Sequence, residues 1–178
     1  MTIRKILTEP DPFLRTKSTD VDKVDDETRK LMDDMLDTMY AAPGIGLAAI
    51  QIGIPKRIIV IDISKEEEKK PLYFINPKII LKSDNNSTYE EGCLSVPGQF
   101  AEIDRPDKCH IEFLDYNGKK QELKTVGILA TCIQHEIDHL EGILFIDYLS
   151  KLKKNFIVKK LSKKKKNVRK NSSLISES

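Results

Sequence analysis

The chain has 178 residues, of which 39% are hydrophobic and 33% are charged, and its net charge is +2. This length and apolar content predict one folded domain with a hydrophobic core and exclude a disordered tract. No run approaches the roughly 18 apolar residues of a membrane span, and the first residues lack the apolar core of a signal peptide. Three cysteines are too few for a disulfide scaffold, so we expect a cytoplasmic protein that does not enter the membrane.

The first predicted helix begins after Asp25, a residue type that commonly caps helix N-termini. It carries apolar residues at helical spacing, namely Leu31, Met35 and Met39. Runs rich in β-branched and aromatic residues then predict strands at residues 57–63, 72–75 and 110–116. A helix, several short strands and a second helix near the end are typical of an α+β domain. We expect small antiparallel or mixed sheets packed around that second helix.

A glycine-containing segment, residues 43–53, joins the first helix to the first predicted strand. Its Gly-x-Gly is followed neither by a phosphate-loop lysine nor by a dinucleotide fingerprint, so the pattern disfavours a nucleotide site. A tight turn between helix and strand would account for the glycines. Gln51 indicates a function as well, because an uncharged amide can polarise a carbonyl without competing for a metal ion.

The most informative motif lies at residues 134–139, where His135 and His139 are four positions apart and Glu136 follows the first histidine. On a helix this spacing places both imidazoles on one face, where they can bind one cation, and Glu136 can reach a water beside that cation. Thr125 is the predicted N-cap, and Gly142 is placed like a C-terminal glycine. A wide apolar stripe predicts that the helix is buried: Ile128, Leu129, Ile133, Ile137, Leu140 and Leu144.

A third metal ligand is needed, since catalytic sites usually offer three protein ligands and one open position. No histidine follows His139, and the later glutamates are poorly placed, so we look upstream to the cysteines. Cys132 is too short to reach a cation between the histidines, and Cys109 opens a strand-like run in which a buried structural cysteine is typical. Cys93 lies among glycines and a proline that let the backbone approach a ligand. The pattern favours Cys93 and leaves the other two as alternatives.

Residues 149–178 differ in charge from the rest of the chain. They hold eleven Lys or Arg and one acid, a net charge of +10, whereas the remainder has nineteen bases and twenty-seven acids, a net charge of −8. We predict a body at 1–150 and an extension at 151–178, in which a basic amphipathic helix leads into a disordered tail from residue 171. The apolar residues of that helix are Leu149, Leu152, Phe156 and Leu161.

Three ordered segments resemble the motifs of the peptide deformylase family, whose members remove the N-formyl group from nascent bacterial proteins. The segments are GIGLAAIQ at residues 44–51, EGCLS at 91–95 and QHEIDH at 134–139. Their order and spacing match the family as well. The likeness runs from about Ile3 to Leu149, so only the basic extension lies outside it.

The resemblance implies a metal centre and a proton carrier. Cys93, His135 and His139 would bind one ion per chain, and Glu136 would act as general acid and base. The physiological ion of the family is Fe²⁺, which Zn²⁺, Ni²⁺ or Co²⁺ can replace. A thiolate and two imidazoles are chemically consistent with iron and with zinc.

The resemblance also implies residues that bind the substrate. Gln51 and the backbone N–H of Leu94 would stabilise the formyl oxygen as it gains charge, and Gly46 would bind the substrate backbone. Arg105 and Asp138 form a hypothetical pair that orients the site. The pocket for the methionine side chain would be lined by Ile45, Leu129, Cys132, Ile133 and His135.

The implied reaction is hydrolysis of the formyl group of N-formylmethionyl nascent peptides, with release of formate, in a bacterial-type cytoplasm. The basic extension would contact ribosomal RNA through phosphates, although a merely solvated tail would have the same composition. Two other functions stay open. A general metallopeptidase would not need Gln51 or the turn at Cys93, and a metal-stabilised ribosome-binding module without turnover would have no use for Glu136.

Overall fold

The computed structural model describes residues 2–176, which contain three α-helices and seven strands. Three short 3₁₀ helices lie at Pro12–Arg15, Ala49–Ile52 and Phe145–Tyr148. The α+β fold class predicted from the sequence is confirmed, with two antiparallel sheets around a central helix. In chain order the elements are α1 (Asp26–Ala41), β1 (Gly46–Ala48), β2 (Ile58–Ile61), β3 (Leu72–Lys82), β4 (Asn86–Cys93), β5 (Val96–Pro106), β6 (Lys108–Leu114), β7 (Lys120–Val126), α2 (Gly127–Leu140) and α3 (Lys151–Ser176).

Helix α1 forms where the sequence predicts it. The Asp25 side chain accepts a hydrogen bond from the Thr28 N–H at 2.9 Å, which satisfies one of the free donors of the first turn. Met32, Met35 and Met39 are completely buried against the side chains of β1 and β2. The helix therefore closes one side of the larger sheet.

The larger sheet has the strand order β1-β2-β3-β6-β7, and β4 pairs only with β5. The three strands predicted from the sequence correspond to β2, β3 and β6. The sequence does not predict the other four strands: β1 has only three residues, and β4, β5 and β7 are largely polar. In β4, for example, Glu91 is the one fully buried residue. Strand β1 at the sheet edge and the end of β4 both contact α2, which brings the two sheets together at the same helix.

Helix α2 lies in the core, and every residue at 130–137 is buried. Its N-cap is Val126, so the prediction of Thr125 was wrong, because Thr125 still belongs to strand β7. The predicted C-terminal glycine is confirmed, since Gly142 has a φ of 76°. A Cβ at Gly142 would also overlap the carbonyl oxygen of Arg15, so the end of α2 packs closely on the N-terminal segment.

Helix α3 docks on the body through one narrow face. Ile157 and Leu161 are 7% and 5% exposed and join a cluster that includes residues of β5 and of the last 3₁₀ helix. Beside them, Lys154 Nζ lies 2.6 Å from Asp147 Oδ1, and Asp147 Oδ2 lies 2.5 Å from Arg15 Nη1. Apolar packing and an ion-pair chain therefore hold the first turns of α3.

The predicted apolar face of α3 needs correction. Leu152 and Phe156 are 83% and 67% exposed. The docking face of the helix follows Ile157 and Leu161, and Leu152 and Phe156 project from the other side. The helix also continues to Ser176, past the predicted start of the disordered tail. Residues 177–178 lie outside the described residues. No helix in the described part of the chain is long and apolar enough to span a membrane.

Candidate metal centre and active site

Cys93, His135 and His139 converge at one point. Their ligand atoms all lie within 4.8 Å of one another, and Cys93 Sγ is 3.2 Å from His139 Nε2. The helical spacing of four brings the two imidazoles together, and the end of β4 brings the thiol to them. No other such group of metal-binding side chains is found within residues 2–176.

This cluster fits a metal ion. Ligand atoms of a tetrahedral site with bonds of 2.0–2.3 Å lie roughly 3.5 Å apart, which agrees with the separations in the cluster. Burial lowers the pKa of His139 well below its usual value, which favours the neutral ring that a metal ligand needs. At His135 burial acts in the same direction, but hydrogen bonds to Cys93 and Glu91 outweigh it and raise the pKa. A thiolate and two imidazoles are a donor set that zinc and iron both accept.

The other two cysteines lie apart from the cluster. Cys109 is in β6 with its side chain in the core, and Cys132 is on α2 at the wall of the neighbouring cavity. Burial raises the pKa of both thiols, to about 12 for Cys132. Both thiols are therefore neutral at physiological pH. Of the three cysteines left open by the sequence, the structure brings Cys93 to the histidines.

A buried ion-pair network orients His135. Its Nδ1 lies 2.7 Å from Glu91 Oε1, and Glu91 in turn accepts two hydrogen bonds from Arg105 at 2.7 and 2.9 Å. Arg105 also donates to Asp138 at 2.8 Å, so the hypothetical pair is present as part of a larger network. Although burial opposes ionisation, the hydrogen bonds from His135 and Arg105 lower the pKa of Glu91.

Sequence reasoning missed Glu91, which connects the pair to the metal cluster. The signal was its position two residues before Cys93 in a strand, where both side chains share a face. A carboxylate next to a metal-binding histidine fixes the ring and its tautomer. The network therefore presents His135 Nε2 to the cluster.

Glu136 lies buried beside strand β1. A Cβ added at Gly46 would overlap Glu136 Oε1, so the glycine lets the strand approach the carboxyl group. The second oxygen, Oε2, is buried and has no hydrogen-bond partner within the described residues. Burial raises the pKa of Glu136 to about 7. A carboxyl group with this pKa can accept and release a proton near neutral pH.

Hydrogen bonds of the side-chain amide fix the orientation of Gln51. Its Oε1 accepts a hydrogen bond from the Ala48 N–H at 2.9 Å, and its Nε2 donates to Ser95 Oγ at 3.0 Å. The same nitrogen lies 3.5 Å from Cys93 Sγ, which leaves its second N–H beside the metal cluster. Leu94 follows Cys93 in the turn from β4 to β5.

A cavity of roughly 460 Å³ opens directly onto the cluster. Three of the five predicted pocket residues, Ile45, Cys132 and His135, line it, as do Gly46, Gln51, Leu94 and Glu136. The prediction also placed Leu129 and Ile133 there, but both pack into the core instead. Both project from the flank of α2 beside the cavity-facing residues, where the helix turns toward the core. Among the other residues that line the cavity are Phe100, Ile128 and Thr131, for which the sequence predicts no place in the pocket.

The family model for polypeptide deformylase matches residues 3–155. The chain belongs to this family. Two similar relatives are the peptide deformylases of Pelagibacter ubique, 71% identical over 94% of this chain and 98% of the relative, and of Maricaulis maris, 59% identical over 93% and 96%.

Solved structures agree with this assignment to the deformylase family. The peptide deformylase from Ehrlichia chaffeensis in complex with actinonin superposes with a TM-score of 0.88, at 47% identity over 92% of this chain and 98% of that one. The Legionella pneumophila enzyme superposes with a TM-score of 0.87, at 43% identity over 94% and 98%.

Membership of the deformylase family confirms the predicted activity. The protein is a metal-dependent hydrolase that removes the N-terminal formyl group from nascent polypeptides. This activity is supported over a general metallopeptidase and over a binding module without turnover. The fold and the family therefore agree with what the three sequence motifs predict.

Proposed function

We propose that Cys93, His135 and His139 hold one metal ion per chain and that Glu136 carries the protons of the reaction. The convergence of the three ligand atoms within 4.8 Å supports the ligand assignment. When bound, the ion supplies Lewis-acid chemistry, which polarises the formyl oxygen and makes water acidic enough to attack near neutral pH. The chain itself then has to move protons, stabilise charge and hold the peptide.

Glu136 is suited to the proton transfer. It accepts a proton from the attacking water and delivers it to the amine nitrogen as the C–N bond breaks, which regenerates the carboxylate. Two features support this role: its pKa of about 7, and a buried Oε2 without a partner beside the cluster. The close approach of Gly46 fixes the carboxyl group against the strand that would bind the substrate backbone.

Gln51 and the backbone N–H of Leu94 stabilise the oxyanion that forms on the formyl group. Hydrogen bonds to Ala48 and Ser95 hold the amide of Gln51 in a single orientation, so no reorganisation is needed when charge develops. Loss of one such donor commonly costs about 3–4 kcal/mol in transition-state stabilisation. A Gln51→Leu variant should therefore lose activity by roughly several hundredfold.

The cavity binds the methionine side chain, with Ile45 and Cys132 among its walls. The formyl carbon carries only a hydrogen, so a tight fit beside the cluster excludes acetyl and larger acyl groups by steric conflict. The neutral thiol of Cys132 behaves here as a small apolar side chain.

The observation that carries this assignment is that Glu136 is not one of the three clustered ligands yet lines the same cavity as Cys93 and His135. The test is hydrolysis of formyl-Met-Ala-Ser under anaerobic conditions, with metal analysis of the same sample. The Glu136→Ala variant should bind as much metal as the wild type and lose activity by roughly 10²–10⁴-fold. A variant that kept its activity, or one that lost its metal, would overturn the role of Glu136.

Fe²⁺ is the ion that we propose for the site, with Zn²⁺, Ni²⁺ or Co²⁺ as substitutes. The donor set fits these ions, and the single thiolate makes a ferrous site sensitive to oxidation. Protein reconstituted anaerobically with Fe²⁺ should be at least as active as protein with Zn²⁺, and should lose activity in air. Equal stability of both samples in air would argue against iron.

The basic helix α3 is proposed to bind ribosomal RNA in the cytoplasm, where the nascent substrates are made. Residues 151–178 form this extension and residues 1–150 the catalytic body. Lys163, Lys164 and Lys166 lie beyond the docking face of α3 and are exposed, so their charge is available to phosphates. The net charge of +10 in residues 149–178 supports this partner.

Replacement of Lys163, Lys164 and Lys166 by Gln tests the proposal and keeps the docking face intact. Binding to purified ribosomes should weaken, and its dependence on salt concentration should become less steep. Hydrolysis of a free formyl-tripeptide should not change, because these residues are far from the cavity. Unchanged ribosome binding at several salt concentrations would show that the extension is only a solvated helix.

A further inference from the structure

Thr131 places a hydroxyl group in the wall of the cavity. The residue is 3% exposed, lines the cavity and lies on α2 four positions before His135. Its Oγ1 is buried, and within the described residues it has no hydrogen-bond partner. Buried hydroxyl groups almost always have a partner, so this group indicates a partner that the protein itself does not supply.

The surroundings of Thr131 make the hydroxyl unusual. On the same side of α2, its neighbours at the cavity are Ile128 and Cys132, an apolar side chain and a thiol whose pKa burial raises to about 12. A valine at position 131 would have nearly the same shape and would leave no polar group to satisfy. Packing alone therefore does not explain a threonine here.

The position along α2 matches one atom of the substrate. Four residues of helix rise by about 6 Å, so Thr131 is roughly that far from the metal-binding His135 along the helix axis. In formylmethionine the thioether sulfur is five bonds from the formyl carbon, or roughly 6 Å in an extended chain. With the formyl group at the cluster, the sulfur would reach the level of Thr131.

We propose that the Thr131 hydroxyl donates a hydrogen bond to the thioether sulfur of the substrate and thereby selects methionine over a hydrocarbon side chain of the same length. This inference rests on the proposed function of the cavity. Sulfur is a weak acceptor, but the Thr131 hydroxyl is buried and has no partner within the described residues that would compete for it. Since the bond exists in the ground state and in the transition state, its loss should raise KM and leave kcat nearly unchanged.

The test compares two peptides that differ only in the sulfur, formyl-Met-Ala-Ser and formyl-norleucine-Ala-Ser. The ratio of their kcat/KM values is measured for the wild type and for Thr131→Val, which removes the hydroxyl and keeps the shape. We expect the preference for methionine to fall roughly three- to tenfold in Thr131→Val, mainly through KM. Metal content and melting temperature verify that the variant is folded.

A second pair of variants covers the case in which Thr131→Val does not fold. Thr131→Ser and Thr131→Ala both lose the methyl group, but only the serine keeps the hydroxyl, so only Thr131→Ser should retain the preference for methionine. An unchanged ratio in Thr131→Val, or equal ratios in the Ser and Ala variants, would overturn the proposal. A wild-type enzyme inactive on both peptides would instead contradict the proposed function.

Discussion

Helices α2 and α3 are both predicted from short sequence patterns, yet the protein uses them in opposite ways. In α2 ten of the fourteen residues are buried, and Asp138 accepts a hydrogen bond from Arg105 on β5. In α3 only a narrow face is buried, and most lysines extend into solvent. A helix that holds a metal site must be fixed on all sides, whereas a helix that presents charge needs only one anchored face.

Removal of a metal ligand from α2 should give the largest difference in metal content and activity between changes on the two helices. His139→Ala should lose its metal and reduce activity by roughly 10³-fold or more, since two ligands do not hold a catalytic ion firmly. A matched change on α3, Lys163→Ala, should alter neither the metal content nor the activity. Metal analysis and the formyl-peptide assay measure both, and a metal-replete His139→Ala enzyme would contradict the ligand assignment.

Gly46→Ala tests how tightly the surroundings of α2 are packed. The added Cβ would overlap the Glu136 carboxyl group and displace it, and a displacement near 1 Å commonly costs roughly 10²-fold in rate. The metal content should stay normal, because Gly46 does not touch the ligands. A variant with wild-type kcat would mean that the carboxyl group tolerates movement.

Glu91→Gln tests whether the ion-pair network supports the metal. The change removes the charge that orients His135 and leaves Arg105 partly unpaired, so metal affinity should fall roughly 10–100-fold. Glu102→Gln is the control, because Glu102 is an exposed acid on the partner strand β5. Competition with a chelator measures both affinities. Equal metal affinities in the two variants would show that the ion-pair network does not support metal binding.

The packing of α3 is tested by two apolar residues on its opposite sides. Ile157→Ala should lower the free energy of unfolding by about 2 kcal/mol, because it removes a buried side chain at the edge of the core. Leu152→Ala should change it by less than about 0.5 kcal/mol, since Leu152 is exposed. Denaturant unfolding measures both. Similar losses in the two variants would mean that α3 docks through a different face.

The smallest effect concerns the ion pairs that anchor α3. Burial opposes the ionisation of Asp147, but Arg15 and Lys154 lower its pKa below the ordinary 3.8. Its contribution to stability is therefore fully present above about pH 4 and is lost as the pH falls through the lowered pKa. Asp147→Asn should cost about 1 kcal/mol at pH 7.

That cost should stay constant from pH 7 to pH 4 and decrease only below pH 4, as measured by unfolding curves of both proteins. A difference that disappeared between pH 7 and pH 5 would contradict an ionised Asp147 with a lowered pKa.

Local sequence patterns determined the positions of the helices, the chemistry of the site and the family. Periodicity located α1, α2 and α3, because a helix depends on contacts between residues three and four positions apart, and the cap at Asp25 marked the start of α1. The spacing of His135, Glu136 and His139 defined the chemistry for the same reason, and three ordered motifs defined the family.

Tertiary structure decided what depends on residues far apart in the chain. It brought Cys93, from the end of a mostly polar strand that no periodicity predicts, to the two histidines of α2. It placed Glu91 behind His135, turned Leu129 into the core and turned Thr131 to the cavity. Sequence periodicity states that a helix has an apolar face, but only packing against the two sheets determines which side of that helix borders the core and which side borders the substrate.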